Sequence, residues 1–253
     1  MKIDSHLHFD YKNHNNLQQA SKELQKQLSN QEFSKGVVIN MAFEPWTIED
    51  FSSELSNHNN LIGIINIDPN DSNCLMNLEY AIRNLGYLGM KLHPRLHNFD
   101  LLDPQVIKLC NYAEILKIPV IIDAFPDGTF LLNGYKPIKY ARLAEKAPKT
   151  KFVWAHMGGH DVIEFMLYAK RLKNVYLDTS YSILYYQESS LCKNFIYAMK
   201  SMKFNKIFYG SDYPDRSIKN TFNQKFKIFR KYGVSEAQME KLFFKNSYDF
   251  FQF

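Results

Sequence analysis

Two histidines one residue apart, His6 and His8, sit in the run KIDSHLHFD near the start of the chain, with Asp4 two positions earlier. A strand turns alternate side chains to the same side, so Asp4, His6 and His8 share a face. Three protonatable groups in a row are poor core material and a good beginning for a metal site. Polar residues close other apolar runs in the same way: Lys91 and His93 in YLGMKLHP, Asp123 in IPVIIDAF and His156 in KFVWAHMGG. Asp178 in NVYLDTS and Asp212 in KIFYGSDYP complete the set. Imidazoles and carboxylates are ligands that suit zinc or manganese. They also move protons, and lysine and arginine bind carboxylates.

Short β-branched runs must carry these groups. They recur at 36–43, 61–68, 87–94, 118–125, 151–159, 174–180 and 206–214, and with KIDSHLHF make eight strand candidates. Segments of helical spacing alternate with them, among them 103–117, 135–147 and 161–173. Asp103 before Pro104 marks a capped helix start, and Ser235 with Gln238 forms a capping box for the last helices. Strand and helix alternating eight times predict an α/β fold, a single-domain (β/α)8 TIM barrel over residues 1–253. The rival, an open doubly wound sheet, lacks its GxGxxG after the first strand and would gather polar groups at one crevice. In the barrel, chemistry belongs at the C-terminal strand ends, where the residues named above fall.

Composition narrows the classes. Of 253 residues 45% are hydrophobic and 15% aromatic, enough for a large core. The net charge of +5 is scattered, with no basic run alternating with aromatics, so the expected partner is a small molecule and not nucleic acid. No stretch resembles a signal peptide or a membrane span, so no membrane association is expected. Cys74, Cys110 and Cys192 are odd in number and far apart, which points to a reducing cytoplasm without disulfides. The tail KLFFKNSYDFFQF is expected as a terminal helix packed on the barrel of a monomer or homodimer.

Taken together and in order, DSHLH, GMKLHP, AHMGG, NVYLDTS and FYGSDYP resemble the amidohydrolase superfamily. Within it the match is to the amidohydrolase-related group of metal-dependent hydrolases, decarboxylases and lactonases. The resemblance runs from Asp4 to FKNSYDFF, where Asn246 matches an asparagine common in that last helix. It implies one divalent metal ion, zinc or manganese, held by His6, His8 and Asp212, with water activated at an open position. Asp212 would take the water's proton and deliver it to the leaving group, and His156 would orient the water or polarise a carbonyl. Lys91 and His93, with Arg95, would bind a substrate carboxylate. The implied reaction is hydrolysis of a small cyclic ester, lactone or amide. Decarboxylation on the same site, or a noncatalytic binding protein, are the alternatives.

Strand 5 departs from the pattern, since related proteins commonly carry a metal-binding histidine where this chain has Asp123. Three readings stay open: Asp123 is a fourth, oxygen ligand; it accepts a hydrogen bond from substrate; or the site is degenerate. Lys91 is expected to be unmodified and the ion single. Asp4 is expected to orient a ligand from behind, and Asp178 to hydrogen-bond within the barrel. Gly158 and Gly159 should permit a tight turn after strand 6, with Phe152 and Trp154 filling the barrel on the face of His156. His14, His58 and His97 are expected at the surface, and His160 at the surface or at the mouth of the site.

Overall fold

The computed structural model describes residues 1–253. Eight strands lie in sequence order in one sheet: β1 (Lys2–Leu7), β2 (Phe33–Ile39), β3 (Leu61–Asn66), β4 (Met90–Leu92), β5 (Val120–Ile122), β6 (Phe152–Trp154), β7 (Val175–Asp178) and β8 (Ile207–Phe208). Every neighbouring pair is parallel, which requires a crossover each time, and helices supply it. This is the (β/α)8 barrel, and it takes up the whole chain.

Because β8 has only two residues, the barrel closes with little ladder. The Ser5 N–H donates to the Tyr209 carbonyl (2.9 Å), the Asp212 N–H to His6 (3.0 Å) and the His8 N–H to Tyr213 (2.8 Å). That seam sets the first strand's histidines against the last strand's aspartate.

The helices form for the reasons their sequences suggest. Leu17–Asn30 starts at Asn16, whose side chain accepts from the Gln19 N–H, and buries Leu17, Ala20, Ser21, Leu24 and Leu28 on one stripe. Ser235 and Gln238 form the reciprocal capping box. Asp103 occupies the capping position before Pro104, but its side chain makes no capping bond, so proline's fixed backbone alone opens that helix.

Inside the barrel, Val37, Ile39, Ile64, Ile121, Val153 and Phe208 form a compact apolar cluster. The tail closes its lower end. After a π-helical turn at Lys241–Lys245, the helix Asn246–Phe251 sets Phe250 against Phe208 and Tyr176, with ring centroids 5.0 and 4.5 Å away. Asn246 donates to the carbonyls of Phe204 (2.7 Å) and Ile207 (2.8 Å), a use for an amide that packing alone would not require. No helix is long and apolar enough to cross a membrane, and the three cysteines are free and buried.

One expected orientation is reversed. Phe152 and Trp154 face the surrounding helices, where Trp154 meets Tyr140 and Phe165 edge-on, while Val153 and Ala155 fill the interior. Alternation alone would send His156 outward with Trp154. It enters the barrel mouth because the chain leaves β6 at Trp154 and turns left-handed through His156, Met157, Gly158 and Gly159, with φ of 61°, 51°, 76° and 56°.

Candidate metal centre and active site

The strand-1 histidines are fixed from behind. Nδ1 of His6 lies 2.9 Å from Oδ2 of Asp178, and Nδ1 of His8 lies 2.9 Å from the Ile39 carbonyl. Both partners are acceptors, so each ring carries its proton on Nδ1 and keeps the Nε2 lone pair free. The two Nε2 atoms converge on one oxygen, Oδ1 of Asp212, at 3.4 Å from His6 and 3.8 Å from His8. Burial, the largest effect, and the nearby Lys91 lower the His6 pKa to about 4, so the ring is neutral near pH 7. Burial would raise the pKa of Asp212, yet His8, His156 and His6 outweigh it and hold the carboxylate well below its ordinary range. Two imidazole nitrogens converging on a carboxylate are a donor set that fits a divalent cation.

His156 lies close by: ligand atoms of His6, His156 and Asp212 all fall within 4.8 Å of one another. Its nitrogens are nevertheless committed elsewhere. Nε2 is 3.1 Å from Oδ2 of Asp123, and Nδ1 is 2.8 Å from the Ser180 hydroxyl, which itself donates to Asp178. A hydroxyl that donates to Asp178 must accept from His156, so both ring nitrogens carry protons. Burial disfavours the cation, but Asp123, Asp212 and Asp178 outweigh it and raise the pKa. His156 is therefore arranged to donate protons, and proximity alone does not make it a ligand.

Neither His8 nor Asp123 is a member of that cluster. Oδ1 of Asp123 accepts from Arg95 Nε (3.1 Å), and its Oδ2 faces His156, Arg95 Nη2 (3.3 Å) and His93 Nε2 (3.5 Å). Burial would raise its pKa; His93, His156 and Arg95 instead hold it well below the usual value. Among the open readings, the geometry puts Asp123 with Arg95, His93 and His156 rather than with the strand-1 histidines. Lys91 is buried, which lowers its pKa, while Asp123, Asp178 and Asp212 act in the opposite direction. Beside His93 and Arg95 opens a cavity of about 460 Å³, walled also by Phe43, Leu96, Thr129 and Phe130.

Asp4 acts on backbones and touches no ligand ring: its Oδ1 accepts from the N–H groups of His6 (3.3 Å) and Ser211 (2.9 Å). The ring of His6 is oriented by Asp178. His160 is partly exposed beside Asp161. His97 is a correction: its side chain is only 8% exposed, beside Asp68 and tied down by Asn70, which donates to the His97 carbonyl (2.7 Å).

Three residues escaped the sequence reading. Asn40, Glu44 and Asn66 stand at the ends of β2 and β3, where Asn40 donates to Glu44 (3.2 Å) and Asn66 to the Lys91 carbonyl (3.3 Å). Burial raises Glu44 to about 7. The same signal that singled out Asp123, a polar residue closing an apolar run, was present in GVVIN and IIN. An aromatic wall was also missed, because its members come from two loops: Phe125 meets Tyr181 and Tyr185 edge-on at 4.9 and 5.2 Å, and His156 at 6.2 Å.

A family model described as amidohydrolase matches residues 3–253. Among solved structures, a probable 2-pyrone-4,6-dicarboxylic acid hydrolase from Acinetobacter baumannii, with citric acid bound, is 17% identical with a TM-score of 0.74, covering 100% of this chain and 99% of its own. An uncharacterised TIM-barrel protein from Bordetella bronchiseptica is also 17% identical, with a TM-score of 0.82 and coverage of 99% and 98%. A 5-carboxyvanillate decarboxylase from Novosphingobium aromaticivorans, with bound manganese and a nitrobenzoic acid, is 12% identical with a TM-score of 0.70 and coverage of 100% and 97%. At these identities the likeness is one of fold. No curated protein matches the sequence.

Proposed function

Because this chain belongs to the amidohydrolase family, we propose that it is a mononuclear metal-dependent hydrolase of a small, carboxylate-bearing cyclic ester, lactone or amide. The observation that carries the reading is the matched pair of strand-1 imidazoles, both anchored through Nδ1 and both presenting Nε2 to one oxygen of Asp212. His6, His8 and Asp212 would hold one zinc or manganese ion. Bound there, the ion would polarise the substrate's carbonyl and acidify a water molecule.

The protein's own groups do the rest. Asp212, ionised at neutral pH, accepts the proton of the attacking water and passes it to the leaving group. His156, protonated on both nitrogens and held at Nε2 by Asp123, would turn its Nδ1–H from the Ser180 hydroxyl to the carbonyl oxygen as negative charge develops there. Arg95, whose guanidinium keeps two unengaged N–H groups at the cavity edge, receives the substrate's carboxylate. Phe125 and Tyr181 exclude water on the side of His156 and suit a flat ring.

Decarboxylation is the second reading, favoured by the same doubly protonated His156, which could deliver a proton to carbon. The fold neighbours named as hydrolase and decarboxylase support holding both. The test is metal analysis of protein purified without chelator, then a screen of lactones and amides with zinc and manganese. Metal-dependent hydrolysis is expected. Carbon dioxide release without net hydrolysis would move the enzyme to the lyases. Ligand-induced thermal stabilisation, with neither turnover nor response to divalent ions, would make it a binding protein.

A further inference from the structure

Asp123 is 1% exposed, and four nitrogen atoms crowd its two oxygens: Arg95 Nε at Oδ1, and His156 Nε2, Arg95 Nη2 and His93 Nε2 at Oδ2. Each of these nitrogens arrives as a donor. Guanidinium nitrogens only donate. His93 accepts from the Leu96 N–H on Nδ1 (3.2 Å), which leaves its proton on Nε2. His156 Nε2 has no other hydrogen-bond partner. Oδ2, with about two lone-pair directions, already faces three N–H groups and has none to offer a metal, while Oδ1 is engaged by Arg95 Nε.

Arg95 is fixed from both sides. Asp123 takes its Nε and Nη2, and Asp127 takes Nη1 at 2.5 Å while capping the helix Gly128–Leu132 through the Phe130 N–H. Of five guanidinium N–H groups, three are engaged and two are left over. The side chain is 27% exposed and lines the cavity of about 460 Å³. A rigid fork with two spare donors at the edge of a cavity is suited to a planar anion.

We propose that Asp123 is a positioning residue and not a metal ligand: one carboxylate fixes both Arg95, the receptor for a small planar carboxylate, and His156, the proton donor. This rests on the function proposed above for the roles of Arg95 and His156. It predicts that the receptor and the proton donor lose their alignment together when Asp123 changes.

The test uses the full chain with manganese and isophthalate as probes. Asp123→Asn should bind manganese within about threefold of the parent, whereas loss of a ligand's direct support costs roughly 10–100-fold. Asp123→Asn and Arg95→Gln should each weaken isophthalate by about tenfold, and the double variant by no more than the worse single, since the two act as one unit. Proton–nitrogen correlation spectra should show a slowly exchanging Arg95 Nε–H in the parent that is lost in Asp123→Asn. A tenfold or greater loss of manganese affinity overturns the proposal. So do additive effects on isophthalate, an unmoved Arg95 signal, or a parent that binds isophthalate no better than Arg95→Gln. A parent that binds no manganese removes the metal chemistry proposed above and leaves the isophthalate cycle to decide the role of Asp123. Should Asp123→Asn not fold, the parent's Arg95 Nε–H is followed as zinc is added: its persistence supports the clamp, and its loss overturns it.

Discussion

Asp178 holds His6 from behind, with Nδ1 and Oδ2 2.9 Å apart and both side chains 1% exposed. The same carboxylate also accepts from the His156 N–H (3.1 Å) and the Ser180 N–H (2.9 Å), so its own orientation is over-determined. Burial would raise its pKa, but His6 and His156 hold it below the carboxylate range, and it stays an acceptor at any working pH. Asp178→Asn keeps the shape but can present an amide N–H to Nδ1, which would force the proton to Nε2 and remove the lone pair from the site. The expected outcome is a folded protein with manganese affinity weakened roughly 10–100-fold. Isothermal titration against the parent measures it, and unchanged affinity would refute the orienting role.

Lys225, in the helix Ile218–Lys231, acts on the opposite face of the same seam. It is wholly buried, and its ammonium donates to the carbonyls of Thr179 and Gly210 at 2.6 Å each. Those carbonyls lie beyond the end of the short β8 ladder, one residue from Asp178 and two from Asp212. Burial lowers its pKa to about 8, against the pull of Asp4, so it is cationic at pH 7. Lys225→Met leaves two buried carbonyls unpaired. Chemical denaturation should show a loss of roughly 3 kcal/mol or more. A loss under about 1 kcal/mol would mean that water or a shifted backbone replaces the ammonium.

The barrel was legible because each strand ends where an apolar run meets a polar residue, and that boundary survives even for β4, β5 and β6, three residues each. His6, His8 and Asp212 could be found for the same reason. What strand periodicity could not supply was the direction of His156, since the left-handed turn that admits it breaks the alternation. Nor could it show that Asp123 is spoken for, because Arg95, His93 and His156 reach it from separate segments. Lys225 gave no signal at all: a lysine on an amphipathic helix reads as surface until the carbonyls it serves are in view.

His93 makes stability depend on pH. Burial, with Lys91 and Arg95, lowers its pKa to about 4 from the ordinary 6.5, outweighing Asp123. Below pH 6.5 the unfolded chain takes up a proton that the folded ring refuses, so folding loses free energy as pH falls, until both forms are protonated near pH 4. With the ring 14% exposed the loss is on the order of 3 kcal/mol. His93→Gln removes the titrating group, so its unfolding free energy should fall less steeply than the parent's over that window. Parallel curves would show that other groups carry the acid sensitivity.

Gly158 ties the geometry of His156 to the core. Its φ is +76°, and a Cβ there would stand 2.1 Å from the Phe165 ring. Phe165 cannot retreat, because it is fully buried against Trp154 and Tyr140, whose ring centroids are 5.3 and 5.1 Å away. Gly158→Ala therefore combines left-handed strain of about 1–2 kcal/mol with overpacking of about 1–3 kcal/mol. Relief can come only from shifting the 155–159 turn, which carries His156 away from Asp123 and Ser180. Gly134 separates the two effects, since its φ is +84° but a methyl group added there would meet nothing within 4 Å. Gly134→Ala should lose only the strain, about 1–2 kcal/mol, and leave the ring N–H resonances of His156 unmoved. In Gly158→Ala, thermal denaturation should show the larger loss and the His156 resonances should shift. Equal losses in the two variants would mean that the turn yields without disturbing the ring.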